Sequence, residues 1–79
     1  NRVEYKAINL SNLQALSEKT GLTTITIDTM VENGLITKKD LVKVLGNGEL
    51  TIKLDVTANA FSKSAVAKIE AVQGTTTII

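Results

Sequence analysis

Apolar and polar residues alternate most strictly between Leu50 and Thr57. The apolar positions are Leu50, Ile52, Leu54 and Val56, and the polar positions are Thr51, Lys53, Asp55 and Thr57. Successive side chains of a strand point to opposite faces, so this period of two predicts a half-buried strand. A second apolar run, Leu41–Leu45, lies upstream, and Asn47-Gly48 between the runs tolerates the positive φ angles of a tight turn. The pattern therefore predicts a β-hairpin.

A first helix is predicted in the segment that follows the N-terminal residues. Leu13 and Leu16 are three residues apart and place an apolar stripe on one helix face. Asn9 or Ser11 can cap the start, and Gly21 suits the left-handed residue that ends many helices. These signals predict a short amphipathic helix between them.

A second helix is predicted from Ser62 to about Val72. Ala65 and Ile69 recur at helical spacing along this segment, and Gly74 marks its end. The amphipathic pattern predicts that this helix lays its apolar face on the core, while its polar side chains face solvent or a partner.

The remaining elements are predicted to be short. Val3–Ile8 alternates weakly, and Leu22–Ile27 is rich in β-branched residues, so both favour brief strands. Asp28–Gly34 is predicted as a helix of one to two turns, and the last five residues, TTTII, as a terminal strand. Residues 1–79 are therefore expected to form one small α/β domain in which the hairpin, the second helix and the terminal strand follow one another.

Composition narrows the classes of function. The chain has 79 residues, with no cysteine and no histidine, which excludes disulfides and removes the commonest zinc ligands. Nine basic against eight acidic residues give a net charge of +1, without the basic excess of a self-sufficient nucleic-acid-binding domain. No apolar run approaches the roughly 18–20 residues that cross a bilayer, so no membrane partner is expected. Because the first residue is Asn1, we expect a piece of a longer protein.

The sequence offers no template for catalysis. Without histidine, Ser-His-Asp and Cys-His arrangements are impossible. Ser64 and Lys68 are four residues apart, whereas serine acyltransferases use Ser-x-x-Lys spacing. The segment GNGELT begins like a dinucleotide-binding loop, but Thr51 replaces its third glycine and a strand is predicted to follow. We therefore predict no enzymatic activity, no small-molecule substrate, no cofactor and no metal site.

The start of the second helix has the sequence Phe61-Ser62-Lys63-Ser64. A helix start exposes backbone N–H groups and a partial positive charge, so hydroxyls and a lysine there can bind a phosphate or a carboxylate. The simpler alternative is that Ser62 is a helix cap with solvated neighbours, and the pattern alone favours it, although both are compatible. Phe61 is expected to pack against the core as a hydrophobic staple rather than to stack on a nucleobase.

The segments VKVLGNGELTIKLDV and AFSKSAVAKIEAVQG resemble the C-terminal globular half of the bacterial large-subunit ribosomal protein fifteen family. The family pattern has a lysine and two aliphatic residues, a glycine turn and an alternating strand, then Phe-Ser-Lys-Ser-Ala opening a helix that ends in glycine. Here it falls on Lys43 to Gly48, Leu50 to Val56, Phe61 to Ala65, Ile69 and Gly74. The upstream segments INLSNLQAL and MVENGLITKKD also fit, so the resemblance covers essentially the whole chain.

This resemblance implies an irregular superhelix of strand and helix units and a non-catalytic role in the large ribosomal subunit. The implied partners are large-subunit (23S-type) rRNA and neighbouring ribosomal proteins, in the ribosome of a bacterial cytoplasm or an organelle. A Gly- and Arg/Lys-rich N-terminal extension outside these residues is implied too, which would explain the low net charge. The expected rRNA-binding residues are Lys63, Ser62, Ser64 and Lys68, followed by Lys43, Asn47, Lys53 and Arg2.

The chain also departs from the family pattern. The family often has a basic residue and a histidine where Thr57 and Asn59 stand, and a glycine pair where this chain has Gln73-Gly74. These changes remove potential RNA donors and alter the end of the helix. The alternative function is a small non-catalytic protein-interaction module that uses an aliphatic face or its terminal strand, since an exposed strand edge can pair with a partner.

Overall fold

The strands of the computed structural model, which describes residues 4–79, form two three-stranded sheets. In chain order the elements are β1 (Tyr5–Asn9), α1 (Leu10–Thr20), β2 (Thr24–Ile25), α2 (Ile27–Glu32), β3 (Leu41–Leu45), β4 (Asp55–Ala58), β5 (Ala60–Phe61), α3 (Lys63–Ala71) and β6 (Thr75–Ile78). The first sheet has the order β1-β3-β5 and the second has the order β2-β4-β6. Every strand pair within the described range is parallel.

The chain alternates between the two sheets and so forms three successive coils. Each coil contributes one strand to each sheet: β1 and β2 are joined by α1, β3 and β4 by an irregular connection, and β5 and β6 by α3. Parallel neighbours need such crossover connections, because a tight turn can join only antiparallel strands. The arrangement matches the superhelix of short units that the resemblance implied, and the predicted α/β class is confirmed.

The predicted β-hairpin is wrong. β3 and β4 belong to different sheets, and β3 already has parallel partners on both sides, so it offers no free edge to a hairpin partner. The alternating segment enters a strand only at Asp55, where β4 (Asp55–Ala58) begins. Leu50 and Leu54 are nevertheless buried, and Ile52 packs against the core. The alternation before Asp55 therefore comes from a connection that buries every second side chain although it is not paired in a sheet.

A single aliphatic core fills the interior of the described coils. Its buried members are Ile8, Leu10, Leu13, Leu16, Ile25, Met30, Ile36, Val42, Val44, Leu50, Leu54, Val56, Ala58, Ala65 and Ile69. Each large aliphatic side chain in this cluster contributes about 1.5–3 kcal/mol by leaving water. Phe61 is partly buried and packs against the same cluster, as predicted.

Local sequence signals set the limits of the two N-terminal helices. Asn9 stands at the N-cap of α1, and Gly21 follows its last turn with a φ of 77°, as predicted. α2 begins one residue before its predicted start, because the Oγ1 of Thr26 accepts a hydrogen bond from the Thr29 N–H at 3.2 Å. β1 confirms the predicted first strand from Tyr5 onward, whereas Val3 lies outside the described residues.

The C-terminal elements also form where they were predicted. α3 ends at Ala71, and β6 pairs with β4 along Thr75–Ile78. The left-handed residue after the helix is Gln73, with a φ of 68°, and not Gly74. A Cβ on Gly74 would overlap the Leu54 carbonyl oxygen, so this glycine permits close packing of the helix exit on the neighbouring coil. Within residues 4–79, no helix combines the length and the apolar character needed to span a membrane.

Candidate nucleic-acid interface

The segment Gly46–Gly48, here called the glycine loop, lies against the starts of both long helices. A Cβ on Gly46 would overlap the Ser64 Oγ and approach the Ala65 backbone nitrogen to 2.8 Å. A Cβ on Gly48, whose φ is 85°, would lie 2.7 Å from the Cβ of Ser11. Both positions therefore require glycine, since the loop backbone contacts α3 on one side and α1 on the other.

Lys68 fixes the glycine loop from the flank of α3. Its ammonium group donates hydrogen bonds to the carbonyl oxygens of Gly46 at 2.7 Å and Gly48 at 3.1 Å. Hydrogen bonds from a charged donor are stronger than neutral ones. Sequence reasoning placed Lys68 among the rRNA contacts, but the structure gives two of its three donors to the protein's own backbone. Its structural task is to hold the loop on the helix.

Asn47 ties the same loop to the start of α1. Its Nδ2 donates to the Oδ1 of Asn9 at 3.1 Å, and its carbonyl oxygen accepts a 3.4 Å hydrogen bond from the Ser11 N–H. Polar groups of the loop therefore make hydrogen bonds with residues at the start of α1. This predicted rRNA-binding residue also has a role within the fold.

The start of α3 is arranged differently. Ser62 is its N-cap, as predicted, with its Oγ accepting a hydrogen bond from the Ala65 N–H at 3.2 Å. The Oγ atoms of Ser62 and Ser64 are 3.2 Å apart and joined by a hydrogen bond. Lys63 and Ser64 are exposed, and their N–H groups belong to the first turn, which has no intrahelical acceptors. This end thus presents a lysine and a hydroxyl to solvent at the positive end of the helix dipole.

The other predicted contacts are spread over the surface. Lys43 is half-buried on β3, in register with Ala60 on β5, and Lys53 is exposed in the connection between β3 and β4. Arg2 lies outside the described residues. The structure therefore brings Ser62, Ser64, Asn47 and Lys68 together around the glycine loop, but it places Lys43 and Lys53 on separate elements.

Asn59 has a structural role that the sequence did not reveal. Its Oδ1 accepts a hydrogen bond from the Val42 N–H at 2.7 Å, and its own N–H donates to the Val42 carbonyl at 3.1 Å. The side chain thus extends the bonding of β3 just before β5 begins. Sequence reasoning treated Asn59 only as a lost RNA donor, because its partner is seventeen residues away.

The turn before β3 is held by an ionised carboxylate. The Asp40 Oδ2 accepts a hydrogen bond from the Thr37 N–H at 2.8 Å, and the Asp40 N–H donates to the Thr37 carbonyl at 3.1 Å. The Thr37 hydrogen bond is the main cause that lowers the pKa of Asp40, and the positive charge of Lys6 adds to it. Lys38 and Lys39 lie inside this turn and are exposed.

The sequence of the chain is similar to those of known ribosomal proteins. A family model for the ribosomal proteins 50S-L15 and 50S-L18e and their 60S counterpart matches residues 7–77. The chain is 64% identical over 74 residues to the large ribosomal subunit protein uL15 of Phocaeicola vulgatus, covering 94% of this chain and 50% of that protein. It is 60% identical over 75 residues to uL15 of Bacteroides thetaiotaomicron, covering 95% and 51%.

The similarity also extends to a more distant bacterium. Over 77 residues, the chain is 49% identical to the large ribosomal subunit protein uL15 of Corynebacterium aurimucosum, covering 98% of this chain and 50% of that protein. The chain therefore spans about half the length of the curated relatives that it matches.

Proposed function

This chain belongs to the uL15 family of ribosomal proteins, and from that membership we propose that it is the C-terminal globular domain of a structural, non-catalytic constituent of the large ribosomal subunit. Its partners are the rRNA of that subunit and the ribosomal proteins beside it, in the bacterial cytoplasm. The observation that carries the proposal is identity of about half or more to proteins named large ribosomal subunit protein uL15, over nearly the whole chain.

The weak net charge fits a domain that does not bind RNA by charge alone. Eight acidic residues offset the nine basic ones, so this chain lacks the excess positive charge that dominates affinity for phosphate backbones. The remaining half of the protein, a Gly- and Arg/Lys-rich extension in this proposal, supplies most of that charge. The domain described here then contributes position and shape, which is the role of backbone contacts that do not read sequence.

We assign the phosphate contact to the start of α3. Lys63 and Ser64 are exposed there, and an anion at this place meets the helix dipole and the first-turn N–H groups. Ser62 supports the site as the cap, while Lys68 holds the glycine loop against α3 and Asn47 ties the same loop to the start of α1. Lys43, Lys53 and Arg2 remain secondary candidates for backbone contacts.

The assignment is tested by Lys63→Glu in the full-length protein. The reversed charge repels an RNA phosphate, so we expect a lower occupancy of the variant in purified large subunits, with a deficit in affinity that shrinks as the salt concentration rises, because salt screens the repulsion. The matched control is Lys19→Glu, which makes the same charge change on an exposed lysine in the last turn of α1. Equal occupancy of the two variants at every salt concentration would contradict the phosphate contact at Lys63.

A protein-interaction module remains the second candidate, because of one observation. β6 pairs with β4 on one side, and its residues, Thr75–Ile78, carry no charge that would discourage pairing with another strand. Sedimentation of the full-length protein with large subunits separates the two functions. Absence from the subunit fraction, together with a stable complex elsewhere, would favour the interaction module.

A further inference from the structure

The outer face of the first sheet carries an exposed aromatic side chain beside an exposed leucine. Tyr5 on β1 and Leu41 on β3 are register partners, so their side chains lie next to each other on the same face. Tyr5 is 46% exposed and Leu41 is 40% exposed. The opposite face of β3 is different, because Val42 and Val44 are fully buried there. The first sheet therefore has one core face and one open face.

The open face becomes flat beyond this pair. In the next row, Ala7, Lys43 and Ala60 are register partners across β1, β3 and β5. Because alanine is small, the side chain of Lys43 has only a methyl group beside it on each neighbouring strand. We name the surface formed by Tyr5, Ala7, Leu41, Lys43 and Ala60 the Tyr5 face. It combines an aromatic ring, a flat apolar floor and a cation within two rows of one sheet.

Further cations lie in the turn that leads into β3. The Thr37–Asp40 turn ends one residue before Leu41, and it carries the exposed Lys38 and Lys39. Lys6 is in register with Val42 and therefore leaves β1 on the other face, where its charge helps to lower the pKa of Asp40. The acidic residues at this end are Glu4 and Asp40, and Asp40 is already engaged by the Thr37 N–H. Near this end of the sheet, the Tyr5 face itself carries Lys43, and the turn that leads into β3 adds two exposed lysines.

We propose that the Tyr5 face binds an unpaired nucleotide, with the base stacked on the Tyr5 ring and its phosphate beside Lys43. An exposed ring with a lysine in the next row of the same sheet face suits single-stranded nucleic acid, because every base has a flat π-face and the lysine can meet the phosphate. A protein partner would favour a larger apolar area with fewer lysines at its centre. The inference rests on the proposed function in taking RNA as the partner, and it adds a second contact surface apart from the start of α3.

The test uses the full-length protein and two RNA probes of equal length, a single-stranded oligouridylate and a blunt duplex. Tyr5→Ala should weaken binding to the single strand about tenfold, the order expected for loss of one stacked base, and leave duplex affinity unchanged. Tyr5→Phe keeps the ring and should bind both probes as the original protein does. The control Leu22→Ala removes another exposed apolar side chain, 47% exposed, and should change neither affinity.

Three outcomes would overturn the proposal. Unchanged affinity of Tyr5→Ala for the single strand would show that no base stacks on Tyr5. An equal loss of affinity for the duplex would show that the substitution acts through charge or folding instead. Reduced binding in Tyr5→Phe would point to the hydroxyl and not to the ring. These failures are separate from failure of the proposed function, because in that case the unsubstituted protein would be missing from large subunits.

Discussion

α1 and α3 occupy the same place in the first and third coils, and they differ most at their starts. Each helix follows a strand of the first sheet, and each starts against the glycine loop. At the start of α1, Asn47 fills the site with a side-chain and a backbone hydrogen bond. At the start of α3, Gly46 lies against the Ser64–Ala65 backbone, and Lys63 and Ser64 remain exposed. One repeated position is thus used for internal bonding, and the other is the place of the proposed phosphate contact.

The difference between the two helix starts depends on the close approach of the glycine loop to α3. We expect Gly46→Ala to disrupt this approach. The added methyl group overlaps the Ser64 hydroxyl and the backbone of the first helical turn. We expect the free energy of unfolding to fall by about 2–3 kcal/mol, because overpacking a tight contact against backbone costs roughly this much. Urea unfolding followed by circular dichroism measures the change.

Gly34→Ala is the control for this prediction. Gly34 has the positive φ that Gly46 lacks, 79°, but nothing lies within 4 Å of a Cβ placed there. Only the strain of a left-handed residue applies, about 1 kcal/mol. If both alanine variants lost the same stability, the close approach of Gly46 to α3 would not be the reason for its glycine.

A pair of lysine substitutions sharpens the comparison by separating structure from binding. Lys68→Met keeps an unbranched side chain but leaves the carbonyls of Gly46 and Gly48 without their charged donor. We expect a loss of about 1–2 kcal/mol in urea unfolding, discounted because Lys68 is exposed to solvent. Lys63→Met should leave stability within about 0.5 kcal/mol, since this side chain is exposed at the helix start.

Lys68→Met should lose more stability than Lys63→Met, but we expect the opposite order for their occupancy in large subunits. Lys63→Met removes the proposed phosphate contact and should lower occupancy in large subunits at raised salt. Lys68→Met should have the smaller effect under conditions where the variant is fully folded. The opposite order would move the rRNA contact from the helix start to the flank of α3.

Sequence patterns predicted the caps and ends of the helices because those signals are local. Ser62 and Gly21 act on atoms within a few residues of themselves, and the structure places both where the pattern put them. The hairpin failed because burial alternates along Leu50–Val56 whether or not a strand is paired, and pairing depends on which edges are free elsewhere. Period alone cannot separate these cases.

The candidate site was only partly predictable for the same reason. The exposed Lys63 and Ser64 follow from the helix start itself. The bonds of Lys68 and Asn59 reach 22 and 17 residues along the chain, to backbone groups that only the superhelix brings near. A lysine that binds its own backbone and a lysine that faces solvent look alike in sequence, so the resemblance grouped Lys68 with Lys63.

The ends of α1 and α3 repeat the comparison on a smaller scale. After α1 the left-handed residue is Gly21, with a φ of 77°, whereas after α3 it is Gln73, with a φ of 68°. Gln73 is exposed, and the Gln73 N–H donates to the Glu70 carbonyl at 2.9 Å, a bond that glycine would keep. Glycine adopts this conformation without the contact between Cβ and backbone that makes it costly for other residues.

Gln73→Gly should therefore raise the free energy of unfolding, by about 0.5–1 kcal/mol after the entropy that glycine adds to the unfolded chain. Thermal or urea unfolding of the full-length protein measures the gain. Gln73→Ala is the matched control and should change stability little, because alanine keeps the Cβ and its strain. A gain of similar size in Gln73→Ala would show that the glutamine side chain, and not its backbone conformation, is the unfavourable feature. The expected order would show that α3 ends less stably than α1 because a non-glycine residue occupies its left-handed position.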